Sequence, residues 1–77
     1  MNELKLKEFN EMGIVYLYRP EGRGQYGEIS YFFADKKAKI TKKAEEASIW
    51  HANKALSKVE ECVTRNNLPI ELTQAWY

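Results

Sequence analysis

Two short runs carry the strongest strand pattern in this chain. Residues 14 to 18 read Ile-Val-Tyr-Leu-Tyr and residues 28 to 33 read Glu-Ile-Ser-Tyr-Phe-Phe, with Pro20, Gly22, Gly24 and Gly27 between them. β-Branched and aromatic runs bounded by turn formers predict an antiparallel hairpin. A second reversal at Asp35-Lys36-Lys37 predicts a short third strand over residues 38–41. Beyond it the period changes. From Thr41 to Asn66 there is no Pro or Gly, and Ile49, Ala52, Leu56, Val59 and Val63 recur along one face of a helix. Ala44, Ser48, Ala55 and Cys62 widen that stripe enough to cover a small sheet, and their small size permits close approach. Thr41 suits the helix start, Glu45 and Glu46 suit its positive end, and Arg65 with Asn66-Asn67 suits its stop.

The two ends of the chain are less distinct. Leu4 and Leu6 alternate with lysines as in an edge strand, whereas Leu4, Lys7 and Glu8 fit a helical turn ending at Gly13, and the helix is the favoured reading. Pro69, with Glu71 behind it, fits the first position of a short terminal helix carrying Ile70, Leu72 and Trp76. The expected architecture is a single small α+β domain over residues 1–77. It consists of an antiparallel hairpin or meander of two to four strands, one long helix from about residue 42 to 65 on one face, and short terminal helices.

Composition agrees with a folded chain. The 77 residues are 44% hydrophobic, 13% aromatic and 30% charged, enough for one core and too few residues for two domains. The amino terminus lacks a basic stretch followed by an apolar run, and no segment approaches the ~20 apolar residues of a membrane span. The single cysteine makes no internal disulfide, which suits a reducing, cytoplasmic setting.

A formal net charge of +1 gives no long-range attraction for a polyanion, yet Lys36, Lys37, Lys39, Lys42 and Lys43 fall within eight residues. Lysines leading into Thr41-Lys-Lys-Ala-Glu-Glu-Ala resemble the start of the last helix of double-stranded-RNA-binding domains, where lysines contact phosphate. An α-β-β-β-α order would agree with that resemblance, although Glu45 and Glu46 stand near where that family prefers alanine and lysine. Gly22-Arg-Gly24-Gln-Tyr-Gly27 fits G-x-G-x-x-G. A strand follows it here, not the helix a dinucleotide fold requires. The arrangement resembles the glycine-rich loop of protein kinases over about eight residues, but the chain has no H-R-D or D-F-G sequence. The expected role of these glycines is to turn a long hairpin.

Catalytic chemistry finds little material. His51 and Cys62 are the only residues of their types and lie eleven positions apart on the expected helix, roughly 16 Å along its axis, too far to share a ligand or a proton. Glu45-Glu46 and Glu60-Glu61 are sequence neighbours that point in different directions on a helix. Neither an enzyme nor a metal or cofactor is expected.

The aromatic residues remain. Tyr16 and Tyr18 share one strand face, Tyr31 and Phe33 share one on the partner strand, and a single helix covers only one face of a sheet. Trp50 falls opposite the apolar stripe, so it is expected to be at least half buried by a partner chain or by the Ala75-Trp76-Tyr77 tail. The expected function is therefore non-enzymatic macromolecular binding. The partner would be a protein, a second copy or a regulatory partner, engaged through Trp50, Tyr16, Tyr18, Tyr31 and Trp76. The alternative is a nucleic-acid-binding module using Lys36, Lys37, Lys39, Lys42 and Lys43.

Overall fold

A computed structural model describes residues 2–21, 24–44 and 49–74. Five strands and one helix follow in the order β1 (Asn2–Phe9), β2 (Gly13–Pro20), β3 (Gly27–Phe32), β4 (Lys37–Lys42), α1 (Ile49–Thr64) and β5 (Glu71–Gln74). The strands form one antiparallel sheet in the order β4-β3-β2-β1-β5, and α1 packs across one face of it. The hairpin and third strand read from the sequence are β2, β3 and β4. The α+β class holds, with five strands where two to four were expected.

Both chain ends depart from the helical expectation. In β1, alternation puts Asn2, Leu4 and Leu6 under the helix and Glu3, Lys5 and Lys7 outside, a division no helical turn of these residues achieves. After Pro69 the chain adds a strand instead of a turn of helix. The Leu6 amide donates to the Ile70 carbonyl at 2.8 Å, and β5 then pairs with Asn2–Lys5. A four-residue strand has little intrinsic stability, so the open edge of β1 supplies the reason for its conformation.

The helix begins later than its sequence pattern suggests. Thr41 and Lys42 are still in β4, and the Thr41 hydroxyl bonds the Ser30 hydroxyl at 3.2 Å and donates to the Glu28 carbonyl at 3.3 Å, so it caps no helix. Glu45, Glu46 and Ser48 lie outside the described residues. The helix stop is as expected: Asn66 takes φ 53°, its amide donates to the Val63 carbonyl, and the Asn67 amide donates to the Cys62 carbonyl. These are the paired bonds of a Schellman ending.

The core lies between α1 and the sheet. Ala52, Ala55, Val59 and Cys62 meet Leu4, Ile14, Tyr16, Tyr18 and Ile29, all buried, with Leu56 and Val63 at the margin. Ile49, expected within the stripe, is 74% exposed, because the buried run starts only at Ala52. Gly27 permits this close layering: a Cβ there would sit 2.4 Å from the Ala44 nitrogen and 2.4 Å from the Tyr18 ring.

Candidate interaction surfaces

Tyr16 and Tyr18 are spent on the core. They are 1% and 0% exposed, and their hydroxyls anchor the segments on either side of the helix. Tyr16 donates to the Pro69 carbonyl at 2.6 Å, whereas the Tyr18 oxygen accepts the Ala44 amide at 3.0 Å. Burial, with a smaller contribution from Cys62, pushes the Tyr16 pKa up to about 12. Burial likewise raises that of Cys62. Neither tyrosine offers a surface to a partner, which corrects their assignment as binding residues. The register supplies the reason: Tyr16 lies opposite Ile29 and Tyr31 opposite Ile14, so both aromatic pairs occupy the helix-bearing face.

Beyond the reach of the helix, that same face ends in an exposed aromatic cluster. Phe33 packs edge-on against Phe9 and against Tyr31, with ring centres 6.1 Å apart in each case. Phe9 is 60% exposed and Met12 in the adjoining turn 73%. A β-bulge between Leu6 and Glu8 creates this arrangement by bringing Phe9 opposite Ile14, where an unbroken ladder would have placed Glu8. The Asn10 side-chain oxygen accepts the Met12 and Gly13 amides, and the Phe33 amide donates to the Met12 carbonyl, so the two turns are tied together. At this end of the sheet lies a cleft of about 130 Å³, lined by Glu8, Gly13, Val15, Ser30 and Phe32 of the open face and bordered also by Met12 and Tyr31 of the cluster. Of the cluster, only Tyr31 was among the residues singled out for binding from the sequence. Phe9, Met12 and Phe33 depend on a bulge and two turns that leave little trace in residue pattern.

The lysine cluster divides. Lys36 sits in the β3–β4 turn with φ 53°, and Lys43 follows β4, both exposed. Lys37 and Lys39 stand opposite Phe32 and Ser30, on the face away from the helix. A second bulge, at Thr41, brings Lys42 opposite Glu28 and so returns it to the same face. Because Lys37, Lys39 and Lys42 belong to a strand, the likeness to the last helix of a double-stranded-RNA-binding domain does not extend to the fold, whose order is β-β-β-β-α-β.

No protein-family model, curated protein or solved structure matches this chain.

The rest of the open face is a ladder of charges around a half-buried line of Val15, Leu17 and Phe32. Arg19 donates to Glu3 at 2.9 Å, Tyr26 donates to the same carboxylate oxygen, and the Arg19 guanidinium lies 4.4 Å from the Tyr26 ring centre. The Tyr26 hydroxyl, then Arg19, holds the Glu3 carboxyl below its usual range, and Tyr26 first among its neighbours raises Lys5. Lys7, the extra residue of the first bulge, reaches across to Glu28 at 3.2 Å.

Trp50 is 49% exposed, with its ring edge-on to His51 and the Lys54 ammonium 5.4 Å from its centre. Trp76 and the tail expected to cover it lie outside the described residues, as do Gly22 and Arg23 of the glycine-rich segment. His51 and Cys62 both lie on α1, and among the described residues no three His, Cys, Asp or Glu side chains gather as a metal-holding group. No helix of the described residues is long and apolar enough to cross a membrane.

Proposed function

We propose that this chain is a non-enzymatic binding module that engages another protein through the aromatic cluster at the turn end of its sheet. The observation that carries this reading is the exposure of Phe9 and Met12 beside Tyr31 and Phe33, whereas Tyr16 and Tyr18 on the same face are consumed by the core. Contiguous exposed aromatic and methionine side chains are what protein interfaces enrich, and leaving them in water is unfavourable for a monomer. The bulge supports the same reading, since a regular ladder would have put the charged Glu8 in the place of Phe9.

Site-directed photocrosslinking tests it. A photoreactive phenylalanine at Met12, introduced in the cells that make the protein, is expected to give a discrete protein adduct, of twice the chain mass if the partner is a second copy. The same probe at Thr73, at the far edge of the sheet, is expected to give none, and Phe9→Ser is expected to abolish the Met12 adduct. Equal labelling from Met12 and Thr73, or an adduct indifferent to Phe9→Ser, would show the cluster to be ordinary surface.

A further inference from the structure

The face of the sheet that lacks a helix carries a second, separate site. We infer that the β4 side of this open face binds single-stranded nucleic acid, with Lys37, Lys39 and Lys42 contacting the phosphodiester backbone and Phe32 offering its ring to a base. This inference does not rest on the protein-binding reading, which concerns Phe9, Met12, Tyr31 and Phe33.

Placement carries the argument. An uninterrupted strand would have sent Lys42 to the opposite face from Lys37 and Lys39; the bulge at Thr41 brings all three to one side. Lys37 and Lys39 are about 7 Å apart along the strand from the rise per residue, so the three make a row and not a point. Between Lys39 and Lys42 the row is interrupted by the hydroxyls of Ser30 and Thr41, 3.2 Å apart and bonded within the sheet, so the lysines are the groups that reach phosphate. Phe32 stands opposite Lys37 at the end of the row, half-buried against the cleft formed with Val15, Ser30 and Gly13. Cations flanking a flat aromatic on an open sheet are the elements with which proteins hold unpaired strands.

The acids of this face are largely engaged elsewhere. Glu3 is held by Arg19 and Tyr26, Glu28 is held by Lys7, and Glu71 stands opposite Lys5. Glu28 stands opposite Lys42, Glu8 lines the cleft beside Phe32, and Asp35 lies 4.0 Å from Lys39 with both groups more than half exposed. Such a pair is weak and screened by salt, so it yields readily to a polyanion. A sheet face without a helix presents no projecting helix to enter a duplex groove, which favours the single strand.

Fluorescence anisotropy with a labelled twelve-nucleotide oligothymidylate, titrated with the purified protein from 20 to 200 mM salt, tests the assignment. Three phosphate contacts predict a log–log salt slope of about 2, at about 0.7 per contact for a single strand. Lys37→Gln/Lys39→Gln/Lys42→Gln is expected to cost at least tenfold in affinity at low salt and to flatten the slope. Phe32→Leu is expected to lose several-fold with the slope unchanged. Lys58→Gln/Arg65→Gln, on the helix and the turn that ends it, is expected to stay within twofold, and circular dichroism confirms that each variant folds. The assignment is overturned by an absence of binding at 20 mM salt, or by a helix variant as damaging as the β4 variant. It is equally overturned if a duplex of the same length, heparin or polyglutamate binds as tightly as the oligonucleotide.

Discussion

The two faces of this sheet are built from the same strands and answer to different physics. On the helix side, the strands contribute alternate residues to a packed core, in which the hydroxyls of Tyr16 and Tyr18 have backbone partners and the buried Asn2 side chain donates to the His51 carbonyl and to Gln74. On the open side, the intervening residues form charge pairs such as Arg19–Glu3 and Lys7–Glu28 over a thin apolar line. A buried hydrogen-bonding group left alone costs its full desolvation, whereas an exposed ion pair is worth little. Stability therefore resides under the helix, and the open face and the turn end beyond the helix contribute little to it. The bulges sharpen the contrast, because each moves a side chain across the sheet: Phe9 onto the helix side and Lys42 onto the open side.

The largest effect that separates the faces is expected from truncating neighbouring core and open-face side chains. Ile29→Ala, at a fully buried position, is predicted to cost about 2–5 kcal/mol in chemical denaturation. Leu17→Ala, half-buried on the open side, is predicted to cost less than half as much; equal losses would mean that the open face is a second core.

An intermediate effect is expected at alkaline pH. The folded-state pKa of Tyr16 is raised to about 12 from an ordinary value of 10.0, so the fold favours the neutral phenol. Its contribution is complete below pH 10 and is lost as pH rises from 10 towards 12. The difference in stability between wild type and Tyr16→Phe is predicted to shrink over that window, as followed by urea denaturation at successive pH values.

The smallest effect is expected from Glu3 on the open face, whose carboxyl is held below its ordinary 4.5. Its contribution is present above that value and disappears as pH falls further. Because the pair is partly solvated, Glu3→Gln is predicted to cost under about 1 kcal/mol at neutral pH. A larger loss would show that the Glu3, Arg19 and Tyr26 cluster acts as a structural unit and not as surface.

What the sequence disclosed follows the same division. The β2–β3 hairpin and β4 were legible because turn formers bracket residues of strong strand preference, and the helix stop was legible in Asn66-Asn67. β1 was misread because Leu4 and Leu6 satisfy both a strand and a helical turn over so few residues. β5 was misread because its conformation comes from the edge of β1 and not from Glu71–Gln74 themselves. Thr41 looked like a helix cap and proved to be a bulge residue. At the surfaces, the lysine cluster was visible, but not that Lys37, Lys39 and Lys42 share one face. Tyr16 and Tyr18 were taken for surface because the face a helix will occupy is decided by tertiary packing. The aromatic cluster around Phe9 needs two turns and a bulge in register before it exists at all.

The most direct test of the division sets two double variants side by side in urea denaturation at neutral pH. Tyr16→Phe/Tyr18→Phe removes two hydroxyls and no carbon from the helix face, and strands the Pro69 carbonyl and the Ala44 amide. Lys7→Gln/Arg19→Gln removes two whole charges from the open face. The first is predicted to lose about 2–4 kcal/mol, since each stranded buried group costs ~1–2 kcal/mol, and the second under about 1 kcal/mol. Equal losses, or the reverse order, would contradict the assignment of stability to the helix-covered face.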